Sequence, residues 1–416
     1  MGNTPNIRFK GFTDDWEQRK LGDVLSDLYN GQTPSRLKEE YWKGDISWLS
    51  SGELNRGHVN HTIEKITKAG QESAHLRLIP SGTFVMAITG LEAPGTRGNC
   101  AILDFDTTLN QSCMALFPKK DMLTSEFLFQ WYCKVGEDYG VRFTQGTKQQ
   151  SYNSEIIKDL DICLPKVDEQ KKISDSLENI DHLITLHQRK CDETKELKKF
   201  MLQKMFPKNG EKKPEIRFEG FTDDWEQRKL IEYLEVSKEK NKDESFGKED
   251  VLSVSGDYGI VNQIEFQGRS FAGVSVAPYG VVETGDIVYT KSPLKSNPYG
   301  IIKTNKGKPG IVSTLYAVYK PLDNVYSEFV QIYFEYDARM NNYMHPLVNK
   351  GAKNDMKVSD ENALKGEVCF PCRDEQIKIS KYFAKLDNLI TLHQRKCDEI
   401  KEIKKFMLQN MFPQKG

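Results

Sequence analysis

Five lysines, Lys291, Lys295, Lys303, Lys306 and Lys308, fall between Ile287 and Pro309 with no acidic residue among them, and Tyr289, Ser296, Asn297 and Tyr299 are interleaved. Between Val141 and Ser151 stand Arg142, Lys148, Gln149 and Gln150, again without an acid. Gly351-Ala352-Lys353-Asn354 occupies the place in the second half of the chain that Gly146-Thr147-Lys148-Gln149 occupies in the first. Lys and Arg attract phosphates, and Asn and Gln can donate and accept together along one base edge. The chemistry on offer is nucleic-acid binding. Lysine-rich solvated loops are the bland alternative, and recurrence of the same loop in both halves favours contact over it. The candidate contacts are Arg97, Asn99, Arg142, Lys148, Gln149 and Gln150 in the first half and Lys291, Lys295, Asn297, Lys350, Lys353 and Asn354 in the second. Lys291, Lys295 and Arg142 suit phosphates, and Gln149 and Asn354 suit base edges.

Signatures of catalysis fail on inspection. Ser296-Asn297-Pro298-Tyr299 is similar to the Asn/Asp-Pro-Pro-aromatic motif that binds a flipped base in amino-methyltransferases, but it lacks the second Pro and no Gly-rich methyl-donor loop accompanies it. No G-x-x-x-x-G-K-[ST] occurs, so no P-loop for ATP is expected. Cys369 and Cys372 form a C-x-x-C, yet the equivalent in the first half is Cys163-Leu164-Pro165-Lys166, which argues against a redox pair. His58 and His61 have no further ligand nearby in sequence. No catalytic residue and no metal site is assigned.

Composition bounds the class. The chain has 416 residues, 59 Lys and Arg against 60 Asp and Glu, and a net charge of −1. At 38% apolar and 29% charged it is built for folded cores rather than disorder. The length suggests two or three domains. No run approaches a membrane span, Met1–Lys10 has no apolar signal region, and eight scattered Cys read as reduced thiols; a cytoplasmic protein without membrane contact is expected. The charge balance excludes a uniformly basic coat, though not local basic faces.

The residues that could do chemistry sit inside an internal repeat. Residues 7–21 and 216–230 differ only at Lys10 and Glu219, and residues 164–207 and 370–413 match at 30 of 44 positions. The offsets, 209 and 206 residues, nearly agree, so each half has a repeated head, a divergent middle and a repeated tail. Such a chain places two modules equivalently, about a pseudo-twofold axis, and lets their middles address different targets. No Pro or Gly interrupts the tails between Pro165 and Pro207 or between Pro371 and Pro413. Ile173, Leu177, Ile180, Ile184, His187 and Cys191 recur at spacings of four and three, as do Ile379, Phe383, Leu386, Ile390, His393 and Cys397. That is a coiled-coil seam, and each seam needs a partner, for which the other copy is the natural choice. His187 with Cys191, and His393 with Cys397, could share a metal at i, i+4, but polar seam residues that fix register are the simpler reading.

The middles read as mixed α/β, with strands near residues 79–89, 98–106, 251–266, 281–304 and 310–321 and helices in 125–135 and 327–336. The expected fold class is α+β: two mixed α/β recognition domains separated by a pair of long antiparallel coiled-coil helices. The expected domains are 1–163 (head plus first module), 164–207 (central helix), 208–215 (linker), 216–369 (head plus second module) and 370–416 (distal helix).

Taken in order, these segments resemble the specificity subunit of type I restriction–modification enzymes. GQTPSRLKEEYWKGDISWLSSGEL is similar to the opening of target recognition domains in that family, as is VLSVSGDYGIVNQIEF followed by VVETGDIVYTKSP and GIVSTLYAVYKP. LPKVDEQKKI and FPCRDEQIKI resemble its central and distal regions, with a Pro…Glu-Gln entry to the helix. The resemblance implies a two-module reader of double-stranded DNA with no catalysis and no cofactor of its own. It implies two modification subunits, which bind S-adenosylmethionine and methylate adenine, and restriction subunits, which use ATP and Mg and cleave. The rival readings are a self-contained DNA methyltransferase or nuclease, and a coiled-coil scaffold.

Overall fold

A computed structural model describes residues 4–91, 95–143, 151–208, 210–291, 297–350 and 356–413. Its two longest elements are 38-residue helices, the central helix Val167–Lys204 and the distal helix Arg373–Asn410. Both begin just after a proline that ends a strand, and both carry acids in the first turn, where the exposed N–H groups favour negative charge. The chain divides into two compact units: Met1–Gln188 with Gln394–Gly416, and Arg189–His393.

The first unit is built on a five-stranded sheet in the order Leu25–Asn30, Cys113–Pro118, Phe84–Ala87, Cys100–Leu103, Gly57–Val59, antiparallel except for the last pair. Phe84–Ala87 and Cys100–Leu103 are apolar along their whole length because the sheet is covered on both faces. One cover is the helix Ser125–Arg142, capped by Thr124 accepting from the Phe127 N–H at 3.1 Å. A three-stranded sheet, Glu64–Ile66, Trp42–Leu49 and Thr108–Leu109, completes the module. Cys397, buried on the distal helix, has its thiol 3.9 Å from the Ile184 carbonyl, and Lys404 pairs with Asp181 at 2.6 Å. Central-helix numbers rise as distal-helix numbers fall, so the two segments run antiparallel in this unit.

The second unit has a four-stranded sheet in the order Leu234–Val236, Tyr316–Pro321, Ile287–Thr290, Ile302–Thr304. Two ribbons flank it, Leu252–Ser255 with Gly259–Asn262 and Gly280–Val282 with Gly310–Val312. Here the covering helix is divided, Ser327–Glu335 and Asp337–Met344 meeting at an extended Tyr336. Cys191 lies 3.8 Å from the Ile390 carbonyl, and Lys198 bridges Asp387 (2.6 Å) and Glu335 (2.8 Å). The helices are antiparallel in this unit too.

Heads and tails do the same work in each unit. Glu17–Lys20 pairs with Asp161–Leu164, and Glu226–Lys229 pairs with Glu367–Phe370 in the same register. Arg8 meets the buried Glu169 at 2.7 Å, and Arg217 meets the buried Glu375 at 2.8 Å. Gln170 donates to the Pro165 and Met122 carbonyls (2.9 and 2.8 Å) and accepts from the Thr124 N–H (3.0 Å), tying strand exit to module helix. Gln376 repeats this with the Pro371 carbonyl (2.9 Å) and the Tyr326 N–H (2.8 Å). Trp16 packs against Phe127 and Phe412, and Trp225 against Phe329 and Phe206. So the core of the first unit takes in the end of the distal helix, and that of the second the end of the central helix.

The seam residues divide by burial. Ile173, Leu177, Cys191, Ile379, Phe383, Leu386 and Cys397 are buried, while Ile180, Ile184, His187, Ile390 and His393 are half-buried. Among the described residues no cluster of three His, Cys, Asp or Glu could hold a metal ion, and no helix is long and apolar enough to cross a membrane.

Candidate nucleic-acid interface

In both units the strand that precedes a candidate loop is tied at its end to the segment that follows the other candidate loop. In the first unit Ile88, just past the strand Phe84–Ala87, donates its N–H to the Ser112 carbonyl at 2.9 Å. Its own carbonyl accepts from the Tyr152 N–H at 2.8 Å, and Thr89 and Ser151 form a β-bridge. Ile88 and Thr89 are therefore tied directly to Ser151 and Tyr152.

The second unit makes the same junction with different chemistry. Lys291, just past the strand Ile287–Thr290, donates its N–H to the Leu315 carbonyl at 3.2 Å, the counterpart of the Ile88–Ser112 bond. Its ammonium lies 3.1 Å from the Asp360 carboxylate. The backbone carbonyl of Asp360 accepts from the buried Tyr319 hydroxyl at 3.1 Å. On the other side of the loop, the Tyr289 hydroxyl donates to the Tyr299 carbonyl at 2.8 Å. Gly300, at φ +80°, lies so close to the Thr290 carbonyl that a Cβ would stand 2.0 Å from its oxygen, so the return of the loop requires glycine. Burial pushes the Tyr289 and Tyr319 hydroxyls well above the ordinary tyrosine range, so both stay protonated donors.

The candidate residues fall unevenly on these junctions. Arg97 is half-buried, its stem against Gly140 and its carbonyl accepting from the Arg56 guanidinium. Asn99 is half-buried and engaged through its backbone, donating to Thr96 and accepting from Ala87. Arg142 is exposed and pairs one turn back with Asp138 at 2.9 Å. Asn297 is half-buried and its carbonyl accepts from the Gly300 N–H at 3.0 Å. Lys350 lies in the two-residue strand Asn349–Lys350, paired with Met356–Lys357. Lys148, Gln149, Gln150, Lys295, Lys353 and Asn354 lie outside the described residues. Lys303, counted among the basic residues of this stretch, does not face the loop: it is buried in the strand Ile302–Thr304, where burial pulls its ammonium below the usual lysine range. Asp360 escapes sequence reasoning altogether, because nothing local marks an aspartate 69 residues away as the partner of Lys291.

Comparison with known proteins finds relatives over part or most of the chain. The profile of the type I restriction modification DNA specificity domain matches residues 13–196. The MjaIX specificity subunit of Methanocaldococcus jannaschii, a type I restriction enzyme subunit, is 29% identical over 174 residues, and the match spans 41% of this chain and 39% of that protein. The MjaVIII specificity subunit of the same organism is 23% identical over 408 residues, covering 94% of this chain and 91% of its own. Among solved structures, the S subunit of a type I restriction-modification system from M. genitalium superposes with a TM-score of 0.64 at 15% identity, covering 99% of this chain and all of the other. A chain from a structure on assembly and conformational transition of the type I R-M system gives 0.50 at 16% identity, covering 95% and 97%. At such identities the structures speak for the α+β fold alone.

Proposed function

We propose that this chain, which belongs through its residues 13–196 to the type I restriction–modification DNA specificity family, is the non-catalytic specificity subunit of such a system and reads two unlike half-sites of double-stranded DNA, one with each module. The observation that carries the reading is the double construction. Arg8–Glu169, Gln170 and the Glu17–Lys20 ribbon recur as Arg217–Glu375, Gln376 and the Glu226–Lys229 ribbon, while the junctions at Ile88 and Lys291 differ. A duplicated frame around unlike loops suits one task performed on two sequences. In this reading the phosphates position each module and the base edges specify it. The central and distal helices pair as an antiparallel coiled coil, and the pseudo-twofold relation of the halves presents the modules equivalently.

Partners follow from the same duplication. Leu183–Glu193 and Leu389–Glu399 are identical at all eleven positions. Leu183, Leu197 and Phe200 remain exposed, as do their counterparts Leu389, Ile403 and Phe406. Two matching apolar sets on charged helices would receive two copies of one modification subunit, with restriction subunits joining the assembly. S-adenosylmethionine, ATP and Mg would then belong to those subunits, and the complex would work in the cytoplasm. Exchange of residues 26–163 for the corresponding segment of another family member, followed by methylation mapping in cells, tests the reading. One half-site should change and the other persist; joint loss or joint change of both halves would refute modular reading.

A further inference from the structure

Resting on the DNA reading above, we infer that Asp360 is a built-in competitor of DNA phosphate for Lys291, so that this lysine is surrendered only to a backbone placed well enough to displace the carboxylate. The geometry is asymmetric. The ammonium of Lys291 sits on a flexible four-carbon stem, 3.1 Å from the Asp360 carboxylate. Asp360 is fixed by its own backbone, whose carbonyl accepts from the Tyr319 hydroxyl, and Tyr319 is 1% exposed. The cation can leave and the anion cannot. The two side chains are 26% and 33% exposed, open enough for a phosphate to approach and sheltered enough that water does not screen the pair away.

This changes what the lysine does. A free lysine at the loop root would add one phosphate contact on any sequence, strengthening random and cognate binding alike. A lysine held by a fixed carboxylate adds little on random DNA, where the backbone has no reason to sit at its best position. On a well-seated duplex it can change partners. Asp360 thus suppresses non-specific binding and acts on specificity through Lys291. The first unit has no such device at the equivalent place, where Ile88 is buried. Among the described residues the device is placed at the Lys291 junction of the second module.

The test measures binding of the full chain, alone and with its modification subunits, to a random-sequence duplex by fluorescence anisotropy across a salt series. Asp360→Asn should steepen the log–log salt slope by about 0.9, one extra phosphate neutralised, and tighten random binding roughly eightfold at about 0.1 M salt. That gain should vanish when Lys291→Gln is added, judged against Lys291→Gln alone. An unchanged slope and affinity in Asp360→Asn would overturn the inference. So would a gain that survives in the double variant, because Asp360 would then act as a bare charge and not through the lysine. Thermal melting checks folding, and Asp360→Ser is read by the same criteria if the Asn variant does not fold. A wild-type chain that binds no duplex at any salt would overturn the DNA reading itself, and the competitor with it.

Discussion

Phe412 should be indispensable to one unit and irrelevant to the other. It lies just past the distal helix, is 2% exposed, and its ring centroid stands 5.2 Å from Phe127 and 6.1 Å from Trp16. Lys134 closes this end by donating to the Phe412 and Pro413 carbonyls at 3.2 and 2.9 Å. Phe412→Ala removes a full aromatic from a packed cluster that cannot collapse around the gap, because Trp16 and Phe127 are held by the head ribbon and the module helix. The cost should be about 3–5 kcal/mol. In a cooperative unit of roughly 200 residues each kcal/mol lowers the melting temperature by about 2–4 °C, so a fall of about 6–20 °C is expected. Hydrogen exchange resolved along the sequence is the assay, because it reports opening region by region. Protection should drop across residues 4–188 and persist in 189–393, and Phe206→Ala should give the mirror result. A loss below about 1 kcal/mol, or an equal loss of protection in both units, would refute the assignment of each helix end to its own core.

Other expectations are equally direct. Gln170→Leu leaves the Thr124 N–H and two carbonyls without their partner and should destabilise the first unit by about 2–4 kcal/mol in urea unfolding, with Gln376→Leu doing the same to the second. Glu169→Gln strands the Arg8 guanidinium beside a neutral amide and should cost about 3 kcal/mol, more than Glu169→Gln and Arg8→Met together. Burial lowers the Lys134 ammonium to about 8. Its folded value lies below its unfolded one, so between pH 8 and the ordinary lysine range the unfolded chain holds the extra proton. Stability of the first unit should therefore rise with pH through that window, and Lys134→Met should flatten the rise; equal slopes in both proteins would count against it.

The repeat made the frame legible, because two copies of one solution stand side by side. Pro165 and Pro371, the acids after them and the uninterrupted tails mark helices that the structure starts at Val167 and Arg373. The α+β character of the middles could be read from their alternation. The same identity hid something else. Both tails end in Met-Phe-Pro, so no property of the sequence states whether Phe206 or Phe412 fills the pocket beside Trp16. Only packing distinguishes them. The burial of Lys303 was illegible for a different reason: a strand of three residues is too short for alternation to say which of its side chains is covered. The loop junctions were half legible. Lysines and amides announce themselves, whereas the tie between Ile88 and Tyr152, or between Lys291 and Asp360, is set by sheet order across many tens of residues.

The contact between a helix end and the head that meets it has a topological consequence. Ile216 donates to the Lys204 carbonyl at 3.0 Å, within one continuous stretch of chain. Ile7 donates to the Asn410 carbonyl at 2.9 Å with no peptide link near it, and the geometry is the same. Covalent continuity is thus not what seats a head on a tail. Within the first unit the head Ile7 and the distal-helix end Asn410 meet as Ile216 and Lys204 do within the second. A nick within 208–215 should leave both pieces bound to each other. A permuted chain, joined from Pro413 to the first head by a short glycine-rich tether and opened in that linker, should rebuild each unit, with the order of its modules reversed along the sequence.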